Sequence, residues 1–363
     1  MKKERQSNFE LLRIVAIFFI IIWHIIVHGK IFDGLSEPYT FISNVISAFV
    51  LVHVNSLIMI TGYFNGEKKE IKKSRALKYL GTGWFYNTVF LSIIIYFNLK
   101  TFTHIELMEE LLLISAETYW FLNCYVILYL LIPFLNRVTE KMTEKEFFHF
   151  LLIQVFLLCF IPVLTNNRFI SNSGYTIIQF IVMYYIGSFF KKYPIKNNYY
   201  FKNLSNKQLR WVFFISFIML ALARLSFYYF GEKLGMLNSS IGCYWSYNIK
   251  KAFFSYPDPL IILQTCAFFL FFETLSIKSK FINFMASSTF GIYLVHDNHN
   301  LRKILYKSLN VTRYGSSIKT LLMLLIATII IYFGSFMIET IRKYLTKLIT
   351  LLFRTIKKKQ TIE

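Results

Sequence analysis

Ten apolar stretches recur along the chain, near residues 10–28, 40–64, 77–97, 119–136, 147–164, 174–190, 211–230, 252–273, 281–298 and 320–340, separated by polar or basic connections. About 20 apolar residues suffice to cross a bilayer as a helix. None of the stretches alternates with the period of two expected of a barrel strand, and a helix satisfies its own backbone groups in lipid. The pattern predicts an all-α fold, a polytopic helical membrane bundle of about ten transmembrane helices. No Pro- or Ser-rich linker interrupts it, so residues 1–340 read as one transmembrane domain. Residues 341–363 read as a basic, amphipathic cytoplasmic tail that continues the last helix along the inner surface.

Composition agrees with this reading. Of 363 residues, 56% are hydrophobic and only 16% charged, too apolar a balance for a soluble protein of this length. The net charge of +21 would suit nucleic acid if the basic residues clustered on a soluble face, but they fall between apolar runs. Membrane lipids, not nucleic acid, are the partners they imply. With the N-terminus placed in the cytoplasm, the inner segments hold 26 Lys and Arg and the outer loops 11, an asymmetry that puts both termini inside. The loop 299–319 runs against the trend with 5 basic residues, which marks it for a re-entrant or interfacial segment. Lys2, Lys3 and Arg5 precede the first stretch as in a signal peptide, but no small-residue cleavage site follows and the stretch is expected to be retained. Cys124, Cys159, Cys243 and Cys266 are too widely spaced to suggest a disulfide framework or a metal pair.

The ionisable groups inside the first stretch carry the candidate chemistry. Arg13 and His24 are separated by a rotation within about 20° of three full helical turns, so both project from one face, roughly 16 Å apart along the axis. Glu10 sits one turn before Arg13 and can hold its guanidinium. Arg13 has two readings, a side chain snorkelling to the headgroups or an anion-binding group. An ionisable residue within a membrane helix is by default a functional candidate, and imidazole is the natural general base near neutral pH, which singles out His24. His28 lies one turn beyond His24 and the pair has metal-ligand spacing. No acidic ligand adjoins it in the sequence, and no metal is predicted. His53 is a possible neighbour of His24. His296 precedes Asp297, but consecutive helical residues point about 100° apart, so the dipeptide is not itself a catalytic pair.

In order along the chain, several motifs resemble those of the acyltransferase-3 family, bacterial integral-membrane O-acyltransferases acting on surface glycans. "FELLR" introduces Arg13 with ten residues between it and His24; "LIMITGYF" (57–64) is similar to a Ser-Gly-aromatic-Phe segment with Thr61 in place of the serine. "SRALKYL" (74–80) resembles an Arg-x-x-Arg element, with Lys78 at the second position after Arg75. "YWFLNCYVILYLLIPFLN" (119–136) and "STFGIYLVHD" (288–297) resemble the family's Trp-Phe-Leu and Tyr-Leu-x-His helices.

The resemblance implies a protein of the bacterial cell membrane that passes an acyl group, commonly acetyl, from cytoplasmic acetyl-CoA or another acyl-CoA to a hydroxyl of a cell-surface polysaccharide or its lipid-linked precursor. It makes His24, as general base or as transient acyl carrier, and Arg13 the expected catalytic residues, and Arg13, Arg75 and Lys78 the donor-binding ones. The polar groups buried in apolar helices, Glu10, Asn55, Thr61, Tyr119, Trp120 and Asn123, together with His296, are candidates for the acceptor site or the oxyanion; each can equally be hydrogen-bonding glue between helices. The competing reading is a transporter or flippase of a lipid-linked glycan, disfavoured by the absence of evident internal repeats and of proline in the first three stretches. An integral glycosyltransferase would call for an acidic ligand pattern that the outer loops do not show.

Overall fold

In the computed structural model, residues 5–32, 36–112, 119–165, 172–237, 239–308 and 318–360 are described, and among them every regular element is helical. The helices are α1 (Ser7–Gly29), α2 (Glu37–Val50), α3 (His53–Asn65), α4 (Lys73–Tyr96), α5 (His104–Leu111), α6 (Trp120–Thr139), α7 (Glu144–Gln154) and α8 (Ile161–Leu164). They are followed by α9 (Ile177–Lys192), α10 (Asn206–Gly235), α11 (Ser240–Phe253), α12 (Pro259–Glu273), α13 (Lys280–Ala286), α14 (Thr289–His296), α15 (His299–Ser308) and α16 (Ile318–Gln360). A π-helical segment, Val155–Phe160, joins α7 to α8.

All ten apolar stretches fall on helix, but not as ten uniform rods. Six spans among the described residues are long and apolar enough to cross a membrane: Ser7–Gly29, Glu37–Asn65, Trp120–Thr139, Glu144–Leu164, Asn206–Gly235 and Ile318–Leu352. The stretch at 252–273 breaks at Tyr256 and Pro257, leaving α12 with 15 residues, and the stretch at 281–298 breaks at Ser287 between α13 and α14. In the atypical loop 299–319, α15 packs against α1 and α4; residues 309–317 and the end of the tail, 361–363, lie outside the described residues. The backbone of α16 runs on as helix past residue 340 to Gln360.

The outer surface is that of a protein solvated by hydrocarbon. Trp211, Ile215, Met219 and Leu222 form an exposed apolar stripe on α10, and Leu322, Leu325, Ile329 and Phe333 form another on α16, an arrangement that water would penalise. Polar groups point inwards instead. Arg224 of α10 is 1% exposed; its guanidinium donates to Ala48 O at 2.9 Å, Gln264 Oε1 at 2.8 Å and Phe253 O at 2.5 Å. Ala48 lies one turn before the break between α2 and α3, and Gln264 donates to the same carbonyl at 2.9 Å. A broken membrane helix needs such donors, because lipid offers none. At the break itself, His53 Nδ1 hydrogen-bonds with Val50 O at 2.6 Å.

α1 lies at the centre, touching α2, α3, α12, α13, α14, α15 and α16. Beside it α3 and α9 pack with their backbones nearly in contact. A methyl group on Gly62 would collide with Tyr184 O, and one on Gly187 with Met59 O, so glycine at both positions is what allows the approach. The α1 N-terminus is tied to the α12–α13 connection: Ser7 Oγ accepts from Ser279 N at 3.0 Å and Asn8 donates to Phe272 O at 3.1 Å. α1 is thereby fixed as one wall of the cavity beside it.

Candidate active site

A cavity of about 1270 Å³ runs along α1. Glu10, Arg13, Ile17, Ile20, His24 and His28 all line it, a run of 19 residues that extends roughly 27 Å, close to the hydrocarbon thickness of a bilayer. The shared face inferred from the spacing of Arg13 and His24 is therefore the cavity face of α1.

The end at the α1 N-terminus is cationic. Arg5, Arg13, Arg75, Lys78, Arg342 and Lys343 line it, drawn from the α1 region, α4 and α16. Glu10 Oε1 accepts from Arg13 Nη1 at 2.6 Å. A guanidinium has five donors, so this bond orients Arg13 without exhausting it. Arg342 is held by a bidentate pair with the buried Glu339, at 2.7 and 2.8 Å, and Tyr86 Oη donates to the same carboxylate at 2.6 Å. Lys343 Nζ lies 3.7 Å from Glu339 and donates to Ser287 O at 2.7 Å. Charged side chains fixed in this way are preorganised for an anion instead of being free to collapse on one another.

His24 lies deeper, with its side chain 12% exposed. Its Nδ1 has no hydrogen-bond partner among the described residues, but it faces Asp297 Oδ1 at 3.5 Å. Asp297 lies just past the end of α14, at its C-cap, and its Oδ1 accepts from Arg302 of α15 at 2.9 Å. The ring of His24 also lies 5.2 Å from that of His28 and 5.4 Å from that of His296, centroid to centroid. The dipeptide His296–Asp297 is indeed no pair in itself; the fold turns its acid towards His24 and its imidazole to the backbone, with Nδ1 2.6 Å from Ile292 O.

At the far end the lining turns aromatic and polar, with Trp120, Asn123, Asn172, Tyr175, Tyr256 and His299. Trp120 meets Tyr175 at 4.5 Å between centroids and stacks on Tyr256 at 6.3 Å. Thr61, at the place of the motif serine, lines the cavity between the two ends and donates to Leu57 O at 3.2 Å.

Among the other sequence candidates, Asn55, Tyr119 and His296 stand outside the lining. Asn55 donates to Tyr256 O at 2.9 Å and accepts from Gln179 at 3.1 Å. Tyr119 donates to Leu294 O at 2.8 Å and accepts from Asn298 at 2.9 Å. Asn55 and Tyr119 brace the wall, Asn55 behind Tyr256 and Tyr119 behind the end of α14. Arg302, Glu339, Arg342 and Lys343 do not stand out in the sequence, and Asp297 is noticed there only as the neighbour of His296. The pairing of Asp297 with His24 spans the chain, and Glu339, Arg342 and Lys343 fall at the end of the final stretch and in the tail. The one local signal is the concentration of charge in the loop 299–319, which contains Arg302.

Fold and site together define a multi-pass helical membrane protein with a charged, preorganised cavity along its central helix. The family model of an acyltransferase domain matches residues 6–340, and the chain belongs to the acyltransferase-3 family. It is thus a membrane acyltransferase. No curated protein and no solved structure matches it.

Proposed function

We propose that the protein transfers an acyl group, acetyl in the simplest case, from acyl-CoA at the cationic end of the cavity to a hydroxyl of a carbohydrate acceptor entering from the aromatic end. The observation that supports this most is the continuity of one cavity from six cationic side chains, past His24, to Trp120 and Tyr175. Acyl-CoA carries several phosphate charges, which Arg13, Arg75, Lys78, Arg342 and Lys343 are suited to bind. The roughly 16 Å of axial distance from Arg13 to His24 leaves room for the extended thiol arm, so that the thioester meets the imidazole. In this reading the chain crosses the membrane ten times with both termini cytoplasmic, in a bacterial cell membrane, and the acceptor is a surface polysaccharide or its lipid-linked precursor.

The reaction then needs one proton shuttle. His24 takes the proton of the acceptor hydroxyl as its oxygen attacks the thioester carbon. The tetrahedral intermediate carries the former carbonyl oxygen as an oxyanion, for which the side-chain amide of Asn123 on the cavity lining is the donor. The C–S bond breaks, the carbonyl reforms, and His24 returns its proton to the leaving CoA thiolate. Asp297 is a positioning residue that favours the imidazolium formed midway, as the carboxylate does in a Ser-His-Asp triad.

The test supplies membranes with labelled acetyl-CoA and follows label into the polysaccharide fraction, together with release of free CoA. Wild-type protein is expected to transfer label and His24→Ala to lose it. Transfer undiminished in the variant would overturn the mechanism, and a polysaccharide identical in O-acyl content with and without the gene product would overturn the acceptor class.

A further inference from the structure

The i, i+4 pair His24 and His28 lacks an acidic neighbour in the sequence, but the fold provides one. One donor atom from each of His24, His28 and Asp297 lies within 4.8 Å of the other two, and all three residues line the cavity. Two imidazoles and a carboxylate form the donor set of a three-ligand zinc site with an open fourth position. Metal–ligand bonds of about 2.1 Å require the donors to draw together by roughly an ångström, a shift that rotation of His28, at the open wall of the cavity, can supply. His24 Nδ1 is buried without a hydrogen-bond partner among the described residues. Asp297 holds Arg302 through Oδ1, yet a carboxylate offers about four lone-pair sites, so it can accept a metal as well.

We propose that His24, His28 and Asp297 form a binding site for a divalent transition-metal ion of the Zn²⁺ class, and that its occupancy switches acyl transfer off. The site itself stands on geometry alone; the inhibitory consequence rests on the function proposed above. A neutral imidazole has one lone pair, and a metal on either nitrogen takes it, leaving the other as N–H. His24 so bound cannot accept the hydroxyl proton. The ion would also displace Asp297 from its part in the proton transfer. Arg302, 2.9 Å from Asp297, repels a second cation, so the site is expected to be reversible and not permanently filled.

The experiment uses the full-length chain, purified in detergent and stripped with a chelator. It is titrated with Zn²⁺ against a chromophoric chelator and with Co²⁺ while visible absorption is followed. Wild-type protein is expected to bind and to give a cobalt spectrum. His28→Ala and His28→Gln should each weaken binding by more than about tenfold while eluting as folded protein. Arg302→Gln should tighten binding, the opposite of what loss of structure would do. Absence of binding in the wild type, or binding indifferent to both His28 variants, overturns the site. In the transfer assay, Zn²⁺ should inhibit the wild type, a chelator should restore it, and the His28 variants should resist; equal inhibition of wild type and variants overturns the switch. Metal binding without any acyl transfer would keep the site and reject the proposed function, whereas transfer without metal binding would do the reverse.

Discussion

Asp297 is where a single side chain decides most. Its 3.5 Å approach to His24 Nδ1 is long for a hydrogen bond, yet attractive once the ring is protonated. Asp297→Asn should therefore leave acyl-CoA binding intact and lower kcat, roughly 10- to 1000-fold, and Asp297→Glu should recover part of the loss. A fall in donor affinity with unchanged kcat would show that the carboxylate serves the donor site instead. Arg13 is expected to behave in the opposite way. Arg13→Ala removes a charge-assisted contact of about 1.5–3 kcal/mol, so donor binding should weaken by about one to two orders of magnitude, measured by acyl-CoA titration of folded protein. Unchanged affinity would return Arg13 to snorkelling. Arg13 and His24 are legible in the sequence because helical geometry is local: spacing alone fixes their shared face. Asp297 is not, because its approach to His24 depends on the end of α14 packing against α1, 273 positions away along the chain.

The existence of the elements can be read from apolar runs of about the right length, and their interruptions cannot. The break between α2 and α3 lies within one apolar run, and its stability comes from Arg224 and Gln264 on two other helices. The amphipathic α5, α11 and α15 leave no long apolar signature in the sequence, since short helices gain most of their stability from tertiary contacts. The glycines allow a direct check of packing at this scale. Gly187→Ala and Gly62→Ala should force α3 and α9 apart, each at a cost of about 1–3 kcal/mol or more, seen as a lower melting temperature in detergent. Gly81 on α4 has nothing within 4 Å of where an added methyl would sit, so Gly81→Ala should be neutral or stabilising by up to about 1 kcal/mol. Equal effects at Gly81 and Gly187 would refute the close α3–α9 approach as a requirement.

For the whole molecule, the question is which side each end of the cavity faces. Phe9 of α1 packs against Tyr63 and Phe64 of α3, so the Lys69 connection shares the end of Arg13. Lys100, after α4, donates to Asn300 at 3.2 Å and marks the other end. After replacement of the four native cysteines, a cysteine at Lys69 should react with an impermeant thiol reagent only when the cytoplasmic face is exposed, and one at Lys100 only from outside. The reverse pattern would invert the donor and acceptor ends. The basic bias between apolar runs makes this orientation an expectation of the sequence; the exceptional loop 299–319 carries Arg302, which serves Asp297 instead of a lipid surface.

The length of α16 has an effect on encounter. Its 43 residues extend roughly 65 Å, about twice the hydrocarbon thickness, so a large part of the helix leaves the apolar slab. The stretch from 341 onwards carries 7 Lys and Arg, and it begins at Arg342 and Lys343 on the cavity lining. If the donor is acyl-CoA, as proposed, a helix so charged would act as a long-range attractor for it, raising its local concentration before any contact is made. Capture of acyl-CoA should then slow as ionic strength rises, while the chemical step in the screened interior does not.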